Sequence, residues 1–94
     1  MIRLTHKDNQ LNTYNVSEQM IEKHENGYNG DAISKLAKFE DFYDGLMHAQ
    51  AKLTNELESL RAEGQNHSVR FRELFTQKMM INHILIQLKA YEIE

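Results

Sequence analysis

The sequence predicts a mainly α fold: a long antiparallel helical hairpin of coiled-coil type, preceded by a small N-terminal β-hairpin or irregular segment. Three observations carry this expectation. Apolar residues recur at alternating steps of three and four along two separate stretches. The 94 residues include no proline and four glycines, so little interrupts a long helix. One of those glycines, Gly64, falls between the two stretches, where a helix C-terminus wants it. The length suits one domain, organised as a ribbon or loop segment over residues 1–30 and an αα-hairpin over residues 31–94.

Residues 1–17 do not read as helix. Ile2 and Leu4 alternate with polar residues, as do Leu11, Thr13 and Val16 less regularly, and Lys7-Asp8-Asn9-Gln10 between them is turn chemistry. A two-stranded ribbon needs something to pack on. Residues 18–30 are polar: a short helix over Ser17–His24 is one expectation, and Asn26-Gly27-Tyr28-Asn29-Gly30 reads as a loop.

From Asp31, a candidate N-cap, the pattern changes. Leu36, Phe39, Tyr43, Leu46, Gln50, Leu53, Leu57 and Leu60 form a heptad seam in which Gln50 alone is polar. The predicted helix covers residues 31–63 and is about 50 Å long. Gly45 lies inside it, at a cost of about 1 kcal/mol relative to alanine. Gly64-Gln65-Asn66 is a short connection, and Asn66 or Ser68 can cap the second helix. That helix has its own seam of Phe71, Leu74, Lys78, Ile81, Leu85 and Leu88. A short connection makes neighbouring helices antiparallel. A turn centred near residue 65 then brings Leu57 to Leu74, Leu46 to Leu85 and Tyr43 to Leu88.

The second helix has more apolar surface than one partner covers. Phe75, Met79, Ile86 and Ile93 lie on one flank of its seam, and Met80, Ile84 and Tyr91 on the other. Each large apolar side chain left in water forgoes roughly 1.5–3 kcal/mol. The expectation is a homo-oligomer, most simply a dimer forming a four-helix bundle. Its interface would use Phe75, Met79, Met80, Ile84, Ile86 and Tyr91. The alternative is a monomer with the N-terminal ribbon folded over the hairpin.

Composition narrows the chemistry. Without cysteine there is no disulfide scaffold, zinc finger or thiol nucleophile. A formal charge of −3 does not suit a nucleic-acid binder, and residues 65–94, with four bases and three acids, make no footprint for DNA. The longest strictly apolar runs, Met79-Met80-Ile81 and Ile84-Leu85-Ile86, are far short of a membrane span. The N-terminus has no apolar signal region, so the expected location is the cytoplasm, and the sequons at Asn15 and Asn66 read as coincidence. Gly-rich phosphate loops, nucleophile elbows and HExxH patterns do not occur. The chain is expected to be no enzyme and to need no cofactor or metal.

Three constellations remain. Glu40, Asp44 and His48 share one helical face, but the spacing differs from that of di-iron bundles; a solvated acidic face is the plainer reading. Glu40, Asp41 and Asp44 make the first half of the first helix acidic, a surface able to engage a basic protein. Ser68, Arg70 and Arg72 open the second helix, where backbone N–H groups attract anions; ordinary capping with solvated arginines is the alternative.

Met1-Ile2-Arg3-Leu4-Thr5, followed after a polar stretch by Ala32-Ile33-Ser34-Lys35-Leu36-Ala37-Lys38-Phe39-Glu40-Asp41, resembles small accessory and early proteins of phages and prophages of Gram-positive bacteria. Glu56–Gly64 followed by Ser68–Leu74 is similar to a coiled-coil hairpin from such genomes. These short matches cover about half of the chain. The resemblance implies a phage protein that binds and inhibits a host defence factor, in its most concrete form an anti-CRISPR inhibitor of an effector nuclease. It supplies no catalytic residues. Two alternatives accompany it. One is a sponge that sequesters a cyclic-nucleotide immune signal at subunit interfaces through Ser68, Arg70 and Arg72. The other is a DNA-binding or structural phage protein, which the charge disfavours.

Overall fold

The computed structural model describes residues 1–93 and is mainly helical, with β-hairpins preceding two long helices. Two compact units divide the chain, Met1–Phe42 and Tyr43–Glu94. The division falls within the first long helix, twelve residues beyond the boundary that composition suggests.

In the first unit, strand β1 (Thr5–Asp8) pairs antiparallel with β2 (Thr13–Val16), Thr5 opposite Val16 and Asp8 opposite Thr13. The loop between them closes on Asp8, whose carboxylate accepts the N–H groups of Gln10 (3.0 Å) and Leu11 (3.2 Å). Asn12 ends the loop at φ 53°, a left-handed conformation that asparagine adopts more readily than most residues. Ile2 and Leu4 precede the strand. The Ile2 carbonyl accepts a hydrogen bond from Lys35 Nζ at 2.8 Å.

The helix expected over Ser17–His24 is replaced by a single 3-10 turn at Glu18–Met20 and a second hairpin. Strand β3 (Glu22–His24) pairs antiparallel with β4 (Gly27–Asn29). The Asn26-Gly27 dipeptide, which reads as loop in the sequence, lies at its tight turn, with Gly27 at φ 132°. All six strand residues are exposed, so no alternation of apolar and polar residues announces them.

Helix α1 runs over Asp31–Ala62. Its first intrahelical bond goes from Ser34 N–H to the Gly30 carbonyl at 2.9 Å. Gly30 is therefore the N-cap, and Asp31, expected in that role, is the first helical residue. Glycine is required here twice over. Its φ is +121°, and a Cβ would lie 2.6 Å from the Met20 carbonyl oxygen and 2.9 Å from Ile21 Cα. These are backbone atoms, which cannot swing aside.

The second unit is the hairpin. Helix α1 ends in a Schellman motif: Gly64 at φ 74°, with Gln65 N–H on the Leu60 carbonyl (2.8 Å) and Gly64 N–H on that of Arg61 (3.0 Å). Ser68 caps helix α2 (Val69–Ala90), its hydroxyl accepting the Phe71 N–H at 3.1 Å. The same bond pattern closes α2 on the Leu88 and Lys89 carbonyls. There Glu92, at φ 59°, occupies the place that glycine usually takes.

From Tyr43 onward the seams pack as their spacing predicts, whereas Leu36, expected on the same seam, is 53% exposed and belongs to the first unit. Tyr43, Leu46, Gln50, Leu53, Leu57 and Leu60 are each buried or half-buried, as are Phe71, Leu74, Lys78, Ile81, Leu85 and Leu88. Leu53, Leu57 and Leu74 are buried, at 7%, 3% and 3% exposure, and Leu60, Phe71 and Ile81 pack against them. The antiparallel alignment is marked by Leu57 and Leu74 in one cluster, by Gln50 Nε2 donating to Asn82 Oδ1, and by the Arg61 guanidinium 5.3 Å above the Phe71 ring. The polar seam residue Gln50 thus finds an amide partner.

Gly30→Ala should destabilise the first unit by about 1–3 kcal/mol. Native-state hydrogen exchange is expected to lose protection across β3 and β4 while the amides of α2 keep theirs. Unchanged protection at Glu22 and Asn29, a hydrogen-bonded pair of the hairpin, would contradict this account of Gly30.

Candidate functional site

Helix α2 presents its seam to α1 and carries large apolar side chains on both flanks. Phe75, Met79, Met80, Ile86 and Tyr91 range from 44% to 81% exposed, while Ile84 is half-buried. The two flanks differ in chemistry. One carries Phe75, Met79, Asn82, Ile86 and Ile93. The other mixes Met80, Ile84 and Tyr91 with Glu73, Gln77 and Gln87.

The first flank continues across the hairpin. Met47 and Gln50 of α1 share a cleft of about 400 Å³ with Asn82, Leu85, Ile86 and Lys89 of α2. Toward the turn, the rings of Phe71 and Phe75 stack with centroids 6.3 Å apart and planes at 13°, and Arg61 covers the Phe71 ring. A second cleft, about 290 Å³, has a charged lining. Lys52, Glu56 and Arg70 join Gln77 around Leu53, Leu74 and Ile81 there. Arg70 reaches Glu56 at 3.7 Å.

The three residues considered for anion binding do not converge within one chain. The Ser68 hydroxyl is engaged twice, accepting from Phe71 N–H and donating to the Gln65 carbonyl at 2.8 Å. Arg70 faces Glu56. Arg72 lies about 200° further around the helix at two residues' remove. The acidic residues Glu40 and Asp41 are exposed in the first unit, and Asp44 is exposed in the second. Among the described residues no three His, Asp or Glu side chains gather as a metal ion would need. Nor is any helix among them long and apolar enough to cross a membrane. The space around Gly45 is open, with nothing near the position its Cβ would take.

One feature of the first unit was not anticipated from the sequence. Met1, Leu4, Leu36 and Phe39 line an apolar cleft of about 380 Å³ together with Arg3 and Lys35. Arg3 is held by the Thr5 carbonyl and hydroxyl and lies 5.5 Å from the Tyr14 ring centre. Of the alternating pair Ile2 and Leu4, which pointed to a strand, only Leu4 lines the cleft from the leading strap; Ile2 is 83% exposed. Asn82, the partner of Gln50, also escaped notice, because a lone asparagine on an apolar flank has no periodicity of its own.

Compared with protein-family models, curated proteins and solved structures, the chain matches none.

Substitutions at the α2 start should separate capping from surface charge. Ser68→Ala is expected to lower stability by about 1 kcal/mol. Arg70→Ala, which removes a partly exposed ion pair, should cost below about 1 kcal/mol, and Arg72→Ala within about 0.5 kcal/mol. Urea titration followed by helical ellipticity at fixed protein concentration measures all three. A larger loss at Arg72 than at Ser68 would overturn the assignment.

Proposed function

We propose that this chain is a non-enzymatic interaction protein: a helical hairpin that works as a homo-oligomer and blocks a basic protein partner through Glu40, Asp41 and Asp44. The observation that carries this reading is the disproportion in the second unit. Three buried leucines hold it together, while Phe75, Met79, Met80 and Ile86 stand in solvent on the same helix. Monomeric proteins rarely leave apolar patches beyond a few hundred Å² uncovered, and larger ones mark interaction surfaces. The acidic stretch of α1 gives the outward-facing specificity: residues 31–63 hold seven acids and four bases, and all three carboxylates are exposed. Its setting comes from the resemblance of the Arg3-Leu4-Thr5 and Leu36–Asp41 segments to phage accessory proteins. The partner is then a host defence factor, an effector nuclease in the anti-CRISPR form of the proposal.

A second reading, a sponge for a cyclic-nucleotide signal, draws on the capped start of α2 with Arg70 and Arg72 nearby. It requires a neighbouring subunit to bring the two arginines' surroundings together.

Charge reversal separates the readings. Changing Glu40, Asp41 and Asp44 to lysine should abolish inhibition in a phage-plating assay on CRISPR-active cells, with helicity and mass unchanged. Partner binding by the unaltered chain should weaken between 0.1 and 0.5 M salt, as screening of exposed charges requires (a Debye length of about 10 Å at 0.1 M). The sponge reading expects the loss instead in Arg70→Ala and Arg72→Ala. A folded, oligomeric triple-lysine variant that still inhibits fully would refute the acidic-stretch proposal.

A further inference from the structure

We infer that the stripe Phe75–Met79–Asn82–Ile86 is the surface on which two copies of this chain meet, with the two α2 helices antiparallel across a two-fold axis. This deepens the homo-oligomer reading and rests on it. In the arrangement each Phe75 packs on the partner's Ile86 and each Met79 on the partner's Asn82.

The choice of stripe follows from the two flanks of α2. Phe75, Met79, Asn82 and Ile86 succeed one another at steps of four, three and four, the spacing of a helix–helix seam. They contain no charge. Over the same stretch the opposite flank, equally uncharged, offers Met80 and Ile84 between Gln77 and Gln87, two apolar residues against three. Its side of the hairpin also carries Lys52, Glu56 and Arg70. The area is also right. Met47, Phe75, Met79 and Ile86 are 39%, 44%, 50% and 66% exposed, roughly 400 Å² of apolar side chain per copy. A standard interface takes about 800 Å² per partner, a little over half of it apolar.

Direction and register follow from charge. Arg72 precedes the stripe and Lys89 follows it at the same spacing. In an antiparallel pair, sliding one heptad either way drives a charge into the apolar layers: Arg72 against the partner's Asn82, or Lys89 against the partner's Met79. Pairing Phe75 with the partner's Ile86 keeps both cations out of the apolar layers: Arg72 and the partner's Lys89 fall opposite each other at the two outer ends, where their long stems carry the charges apart into water. Antiparallel helices also place opposite dipole ends together. Asn82, inside the seam, already accepts from the Gln50 amide, so its burial leaves its oxygen satisfied.

Because the chain has no cysteine, engineered thiols report this geometry directly. The double variants Met79→Cys/Asn82→Cys and Phe75→Cys/Ile86→Cys should each form a disulfide-linked dimer under mild oxidation at micromolar protein. Phe75→Cys alone, and Met80→Cys/Ile84→Cys, should not. Ile86→Glu should weaken self-association by roughly tenfold or more, read by analytical ultracentrifugation, with helicity retained; Met80→Glu should leave it unchanged. Efficient linkage through Phe75→Cys alone, which the antiparallel register holds about 16 Å apart along the helices, would overturn that register. Dissociation by Met80→Glu, with Ile86→Glu silent, would overturn the choice of stripe while leaving the homo-oligomer reading intact. A monomer mass for the unaltered chain at tens of micromolar would overturn both.

Discussion

Two helices that touch along one seam can enclose only what lies between them, and in this hairpin the enclosed residues are Leu53, Leu57 and Leu74. The rest of the second unit is arranged around that small knot. Leu60, Phe71 and Ile81 extend it toward the turn and along the seam. Gln50 and Asn82 meet further along as an amide pair, which holds alignment where an apolar contact would permit sliding. The Schellman motif at Gly64 and the Ser68 cap set where each helix stops and starts, and so which leucines arrive opposite each other. A core this slight leaves apolar side chains outside it, and their burial is the driving force available for partnership.

The first unit rests on different physics. Its strands are short, and most of their side chains are exposed. What shapes it is backbone geometry: the Asp8 carboxylate closing one loop, Gly27 turning the other, and Gly30 passing so close to Met20 and Ile21 that no side chain fits. Lys35, reaching the Ile2 carbonyl, ties the leading strap to the start of α1.

This difference explains what the sequence disclosed. Both helices, their antiparallel sense and the Leu57–Leu74 pairing were legible because apolar contacts impose steps of three and four, and because glycine and serine stood at the required ends. The surplus on α2 was legible for the same reason: Phe75, Met79, Met80 and Ile86 lie off the seam and are exposed. The β3–β4 hairpin was not, since three-residue strands without burial leave no pattern beyond Asn26-Gly27. Gly30 as the cap in place of Asp31 depended on a close approach by residues nine and ten positions earlier, which spacing does not reveal. The Ser68, Arg70 and Arg72 group looked coherent as a string. In the helix, two residues' separation sends the arginines to different sides, and Glu56 claims one of them.

The order of the elements carries a kinetic consequence. The strand pairings and the helical hairpin each join neighbours in the chain: β1 with β2, β3 with β4, α1 with α2. Loops this short close in well under a millisecond, and topologies made of local contacts fold quickly. No prolyl bond or disulfide is present to impose a slow step. The chain therefore folds faster than separate molecules meet at cellular concentrations. In the pairing proposed above, the time needed to form the pair would then be governed by how much protein has been made, and the amount of paired protein would follow the square of its early abundance.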